Sequence, residues 1–484
     1  MGRGKRRKLV SIGFVAFVGG LALAATVYGA SVIATPISSD PYTNPSSQHR
    51  TQVEPDTFGY GNTVVATFQT GRFFDGGSSN IGWATTTNAG RTWTHGVLPG
   101  TTVFEGGPWA RISDPAVAYD PMHNVWMIST LAINASVSGA AVLTSRSTDG
   151  GLTWGNPVTV STSSGTFYDK NWITCDTWPQ SPFYGNCYQE WDDQRLSMST
   201  STDGGLTWGP VRFPGSSGLG GQPVVQPNGT VVVPYEGGAG IRSFRSTNGG
   251  TSWEPSVAVS SISSHGVAGN LRTSPLPSAE VDAAGKVYVV WQDSRFRSGG
   301  SSNDIVMSTS TDGVAWTPVV RIPIDPTTSG VDHFIPGLAV DRSTSGNTAR
   351  LALGYYYYPV AACNSSTCEL TVGFVSSTDG GATWTQPRKV AGPINLSWIA
   401  STNQGVMVGD YMSTSFAGGT YAFPVFAVAK AKTGTVFDER TYSARFDVTI
   451  PQDTAPVPVR PDPVRYRKHN RPPDELEELP PIPN

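Results

Sequence analysis

Two five-residue stretches, Trp191-Asp192-Asp193-Gln194-Arg195 and Trp291-Gln292-Asp293-Ser294-Arg295, share the form W-x-D-x-R. Two chemistries fit it. An Asp–Arg ion pair can brace a loop, or the charges can hold an anionic or polyhydroxylated ligand, because Arg grips a carboxylate through two parallel hydrogen bonds. Residues of the same kinds recur along the chain: Arg72, Arg111 with Asp114, Asp169 with Lys170, Tyr235 with Glu236, Arg272 with Ser274, Asp332 with His333, and Asp410 with Tyr411. Cations for binding, carboxyls for proton transfer and a phenol are all present. They are too far apart in sequence for any local structure to gather them. The elements that position them must return the chain to one place again and again.

A repeated turn supplies such elements. S-T-D-G-G-L-T-W stands at Ser147 to Trp154 and at Ser201 to Trp208, and S-T-D-G-G-A-T-W at Ser377 to Trp384. Looser copies run Thr86 to Trp93, Ser246 to Trp253 and Ser310 to Trp316. The spacing of roughly 45 to 67 residues points to a repeat architecture. At the third position, Asn88, Asp149, Asp203, Asn248, Asp312 and Asp379 can hydrogen-bond their own backbone, and the following Gly supplies positive φ, which is hairpin-turn chemistry. A Trp at fixed offset is large enough to fill the gap between neighbouring sheets. β-like runs precede each box, so each unit reads as four strands with the box between the third and the fourth.

The S-x-D-x-G-x-T-W box resembles the Asp-box, or bacterial neuraminidase repeat, of the sialidase superfamily. The resemblance implies an all-β fold, a β-propeller of six or seven four-stranded blades over residues 54–448. Boxed units plus a last, box-free unit at 406–447 favour seven; familiar sialidases have six, and partial strands at the two ends can instead combine into one closing blade. In that family the boxes lie on the face opposite the active site. The face of interest is then built from the starts of the inner strands and the loops between second and third strands, where the charged residues above fall. The family binds the sialic-acid carboxylate with three Arg, uses a Tyr nucleophile activated by a Glu, and uses an Asp as acid/base. A Tyr nucleophile avoids placing a second carboxylate against an anionic substrate. Carried onto this chain, the resemblance implies substrate binding by Arg72, Arg272 and Arg295, and catalysis by Asp114 as acid with Glu236 activating Tyr411. The F-R-I-P-like motif of sialidases does not precede the first box; Arg321-Ile322-Pro323 follows the fifth box on an outer strand, out of reach of the axis. Two functions follow: a sialidase-like glycoside hydrolase acting on extracellular glycans, or a non-catalytic propeller that binds glycan or protein at the cell surface.

Composition agrees with a turn-rich β protein. The 484 residues include 55 Gly and 14 Trp with only 14% charged residues. A net charge of −3 excludes a nucleic-acid footprint. The six His are scattered and no H-x-x-x-H or C-x-x-C pattern marks a metal site, so no metal or cofactor is expected, although acidic turns can bind calcium without a recognisable loop. Residues 1–8 are basic and 9–34 carry no charge, which reads as a transmembrane signal anchor or a cleaved signal peptide. Basic residues on the N-terminal side keep that side cytoplasmic and put the rest of the chain outside, either membrane-bound by a single pass or secreted. In that setting Cys175 with Cys187 and Cys363 with Cys368 read as two disulfides. Residues 35–53 read as a linker that can end in a strand, and 449–484 as a Pro-rich disordered tail.

Overall fold

The computed structural model describes residues 1–2, 34–136, 140–163, 165, 167–193, 195–450 and 457–458. Most of the basic stretch, the hydrophobic segment expected at 9–34 (apart from Ala34) and most of the tail expected at 449–484 lie outside the described residues. Among the described residues no helix is long and apolar enough to cross a membrane, and helix is limited to single 3-10 turns.

The strands pair with their sequence neighbours. Gln48–Tyr60, Thr63–Arg72, Ser78–Thr86 and Thr94–Val97 form one antiparallel unit. Arg111–Asp120, Val125–Ile133, Ala140–Ser147 and Val158–Thr162 form the next. Further units start at Asp169–Cys175, Val224–Val225, Ser278–Val281 and Asp332–Val340. The Ser413–Ala417, Tyr421–Thr433 and Val436–Ser443 strands complete the series. Each first strand packs on the first strand of the next unit, and Ser413–Ala417 packs back on Gln48–Tyr60, so the sheets close into a ring. Both faces of most strands are covered by neighbouring sheets, which accounts for continuous apolar runs such as Val287-Tyr288-Val289-Val290-Trp291. Tyr355, Tyr356, Tyr357 and Tyr358 are all fully buried and serve this core.

Residues 35–53 are not a linker. Thr35–Pro36 pairs with Tyr442–Ser443 and supplies the outer edge of the last unit, and the Gln48–Tyr60 strand begins within the segment. Thr441 N donates to Ser38 Oγ (2.8 Å), and that hydroxyl donates to Gln52 Oε1 (2.9 Å). The polar composition that suggested a linker is explained by these buried side-chain bonds.

Five of the six boxes take the same turn and the sixth a shortened form of it. In the Ser201 copy, Asp203 Oδ1 accepts from Ser201 Oγ (2.9 Å) and Thr207 N (3.0 Å), and Oδ2 accepts from Thr207 Oγ1 (2.6 Å). Asp149 and Asp379 repeat the set, Asn88 and Asn248 use the amide for the same contacts, and Asp312 closes a turn one residue shorter. Gly205 is needed twice over: its φ is +76°, and a Cβ there would meet Met127 Sδ of the preceding unit at 2.5 Å. The box therefore joins adjacent units as well as adjacent strands. Asp203→Ala is expected to lower stability by about 1–2 kcal/mol through loss of these charge-assisted bonds, read as a fall in the denaturant midpoint; an unchanged midpoint would remove the structural role of the box. Cys175–Cys187 and Cys363–Cys368 are both disulfide-bonded.

Candidate active site

Four of the first strands carry the same irregularity at their start. The register slips between Val53 and Asp56, Ser113 and Ala116, Asp169 and Trp172, and Phe334 and Gly337. Inside each bulge one residue has positive φ: Glu54 (53°), Asp114 (47°), Lys170 (44°) and Ile335 (49°). Glu54, Asp114 and Ile335 also precede a proline, which adds to the cost of a bent backbone. Each such residue costs about 1–3 kcal/mol and persists only where its surroundings enforce it. Bulges re-aim side chains, and these line two adjoining cavities, the first with Glu54, Asp114 and Lys170 and the second with Lys170 and Ile335.

The first cavity also takes Arg72, Arg272 and Asp169. Arg272 Nη2 reaches Asp410 Oδ2 at 2.5 Å, and Lys170 Nζ bonds the same oxygen and lies 3.8 Å from Glu54 Oε1. Arg72 Nη1 donates to Gln69 Oε1 and Gly77 O, both at 3.1 Å, while its buried Nε has no protein partner. Gln69 Nε2 bonds Glu54 and donates to Ser113 Oγ (3.2 Å), which donates to Asp114 Oδ1 (3.0 Å). The backbone N–H of Lys170 lies between Asp114 Oδ2 (3.2 Å) and Asp169 Oδ1 (3.0 Å), and the two carboxyls are themselves hydrogen-bonded. Asp169 lines the first cavity, its carboxyl enclosed by the surrounding protein although the residue as a whole is partly exposed.

These environments separate the carboxyls into two kinds. Burial opposes the ionisation of Asp114, but Lys170 and the bond from Asp169 prevail and hold it below its ordinary value. Asp410 is buried too, and Arg272 and Lys170 hold it well below. Burial pushes Glu54 up to about 8, with Asp114 adding repulsion, and pushes Asp169 up to about 7 against the pull of Lys170. In mildly acidic solution the cations Arg72, Lys170 and Arg272 thus face ionised Asp114 and Asp410, while Glu54 and Asp169 hold their protons more tightly than ordinary carboxyls. A pair of groups with divergent proton affinities is how acid and base roles are divided.

The same shifts set a pH dependence of stability. Glu54 and Asp169 keep protons that the unfolded chain releases near pH 4, so their contribution falls as pH rises from about 4 to about 8. Asp114 and Asp410 have depressed values and contribute above about pH 4, a contribution lost as pH falls through their folded values. Maximal denaturant resistance is expected in mildly acidic buffer, with a decline toward about pH 8 that Glu54→Gln reduces.

The expected site residues divide accordingly. Arg72, Asp114 and Arg272 come together in the first cavity. Tyr411 lines the second, donates to Pro115 O (3.2 Å), and is pushed well above the ordinary phenol value by burial and then by Glu54, Asp114, Asp56 and Asp410. Glu236 lines neither cavity, and its Oε1 accepts from Gly238 N (2.8 Å) within its own turn. Of the carboxyls whose charge acts on Tyr411, Glu54 has the largest effect, ahead of Asp114, Asp56 and Asp410, and Glu236 is not among the main ones. Arg295 braces its own loop through Asp293 (2.9 and 2.6 Å) and Ser260 Oγ (3.0 Å), so W-x-D-x-R takes the bracing form here. Its place among the cations is filled by Lys170. Glu54 has a readable signal: Glu54-Pro55 repeats the X-Pro pattern of Asp114-Pro115, Leu276-Pro277 and Ile335-Pro336 at first-strand starts.

No family model and no curated protein matches the sequence. Among solved structures, the chain is similar to an α-L-arabinanase from Penicillium chrysogenum at 14% identity and TM-score 0.44, over 87% of this chain and 99% of that one. It is similar to a Hadza microbial sialidase at 14% identity and TM-score 0.44, over 82% and 66%. A sialidase from Streptococcus pneumoniae matches at 11% identity and TM-score 0.42, over 86% and 71%. The described residues form a closed ring of antiparallel sheets with six box turns, and the cavities lie at the starts of its first strands, away from the boxes.

Proposed function

We propose that this chain is a glycoside hydrolase that releases an acidic sugar, in a sialidase-type reaction, from the end of an extracellular glycan. The observation that carries the reading is the Asp114–Asp169 pair, joined through the Lys170 N–H and lining one cavity with Arg72, Lys170 and Arg272, with Asp114 held below and Asp169 pushed above the ordinary carboxyl value. The three cations bind the substrate's carboxylate. Asp169 gives its proton to the glycosidic oxygen as the C–O bond breaks and its electron pair passes to that oxygen. Ionised Asp114 stabilises the positive charge that develops on the sugar ring. Water adds to the ring carbon and its proton returns to Asp169.

The ring is read as a seven-bladed propeller, with Thr35–Pro36 completing the blade built on Ser413–Ser443. The charge-free 9–34 segment, its basic flank and the two disulfides support a place outside the cytoplasm, held to the membrane through that segment or secreted after its removal.

The test is release of fluorophore by the full-length chain from a panel of aryl glycosides that includes a sialoside, a glucuronide and an arabinofuranoside, between pH 4 and 9. Turnover of an acidic-sugar donor is expected, with a rate that falls as pH rises through about 7, where Asp169 loses its proton. Release from none of them sinks the reading. A non-catalytic glycan binder is the second reading. It is favoured by Tyr411, whose proton is tightly held and already donated to Pro115 O, and by Asp410, which already engages Arg272 and Lys170. Glycan binding without turnover would select it.

A further inference from the structure

Strand directions carry both ends of the chain to the face that holds the boxes. Ser413–Ala417 starts beside Asp410, Tyr411 and Met412 on the second cavity and runs to the turn at Gly418, whose N–H donates to Gly61 O (2.7 Å) on the box side. Tyr421–Thr433 therefore runs back toward the cavity end, and Val436–Ser443 toward the boxes. Thr35–Pro36 is antiparallel to Val436–Ser443, so the chain enters Thr35 from the box side. Thr383–Trp384 closes the sixth box and leads toward the outer strand Arg388–Asn395. Val457–Pro458 is antiparallel to it, so the chain leaves Pro458 toward the box side as well.

What stands next to these two exits is informative. The charge-free residues 9–34 come directly before Thr35, with no polar spacer. Residues 460–471 carry Arg460, Arg465, Arg467, Lys468 and Arg471 against Asp462 alone, ahead of the acidic run at 474–478. The box face itself presents apolar side chains at its turn tips: Tyr60, Met122, Leu152, Leu206, Val314 and Ile450, each between 39 and 59% exposed. Phe74, Val360 and Val436 are exposed at the cavity end, but neither chain end leads there. A single exposed apolar side chain is ordinary. Shallow apolar contacts beside an uncharged segment long enough to cross a bilayer, together with a basic stretch, are the features of a surface that rests on lipid.

We propose that the box face lies on a lipid bilayer, with the turn tips at headgroup level and the cavities open to the medium. The glycans that reach the cavities then come from the medium or from a facing surface, not from lipids of the same leaflet. The proposal rests on the reading that places residues 9–34 in the membrane.

The experiment puts a polarity-sensitive fluorophore on Leu206→Cys, Val314→Cys or Val360→Cys in the full-length chain, whose own cysteines are all paired. Leu152→Cys replaces either box-side variant if that one fails to fold. Each chain is reconstituted in vesicles of about three parts phosphatidylcholine to one of phosphatidylglycerol and floated on a density gradient. The chain is expected to float, and lipids with a doxyl group near the headgroup are expected to quench the labels at 206 and 314 about fivefold or more above the label at 360. Flotation with equal quenching at the three positions, or with none, overturns the docking and leaves the membrane reading in place. Box-side labels that enter an apolar environment without lipid quenching would place a second copy on this face, which also overturns it. A chain that does not float removes the membrane reading and this inference together.

Discussion

Lys170→Met is expected to cost the folded ring about 3–5 kcal/mol, the penalty for leaving buried carboxylates without their cation. Lys170 is 4% exposed, and its ammonium bonds Asp410 and faces Glu54. Methionine has similar length and no charge, so packing changes little while Asp410 loses one of its two cations. Asp114 loses the charge that most favours its ionisation. The loss is measured as a drop in denaturant midpoint at neutral pH. It should shrink in acid, because protonation of Asp410 and Asp114 removes the uncompensated charge. The double variant Lys170→Met/Asp410→Asn is expected to lose less than the sum of the single changes. A Lys170→Met chain within about 1 kcal/mol of wild type would show that the cluster behaves as a solvated set of charges rather than a buried network.

The second large effect concerns chemistry. Asp169→Asn is expected to lower turnover of glycosides with poor leaving groups by about 10²–10⁴-fold, the usual contribution of a general acid. A nitrophenyl leaving group needs no proton, so the same variant should retain much of its rate on the nitrophenyl glycoside. Asp114→Asn should be slow on both, because charge stabilisation on the ring is needed whatever leaves. Equal losses for the two variants on both substrates would remove the division of roles between them. The alkaline limb of the pH profile, set near 7 by Asp169, should vanish in Asp169→Asn.

Much of the ring was legible because its signals are local. A Ser, an Asp, two Gly and a Trp within eight residues define the turn wherever they recur, and the structure shows the same hydrogen bonds at Asp149, Asp203 and Asp379. Arg72, Asp114 and Arg272 meet in the first cavity, brought there by the end of a second strand, a first-strand bulge and the segment before Ser278–Val281. The exceptions have local causes that no spacing reveals. Arg295 stands two residues from Asp293 and pairs with it before it can reach inward. Glu236 is engaged by the N–H of Gly238. Glu54 stands one residue past the segment 35–53 that reads as a linker, and Thr51 and Gln52 at the end of that segment are buried. The different surroundings of Asp169 and Asp114 depend on how the Lys170 N–H lies between them, which is a fact of three dimensions only.

The pairing of Thr35–Pro36 with Tyr442–Ser443 has a consequence for how the molecule is made. Ser38 waits for Thr441, 403 residues later, so the decisive contact arrives only when nearly the whole chain has been synthesised. Contacts of such separation form slowly, and edges left unpaired meanwhile invite association with other chains. Chaperone demand should thus depend on a single late event. Chains that end before residue 436 lack the strand that receives Thr35–Pro36 and should aggregate as a class, while chains that end just beyond Pro458, which keep the pairing of Val457–Pro458 with Thr383–Trp384, should fold as well as the intact protein.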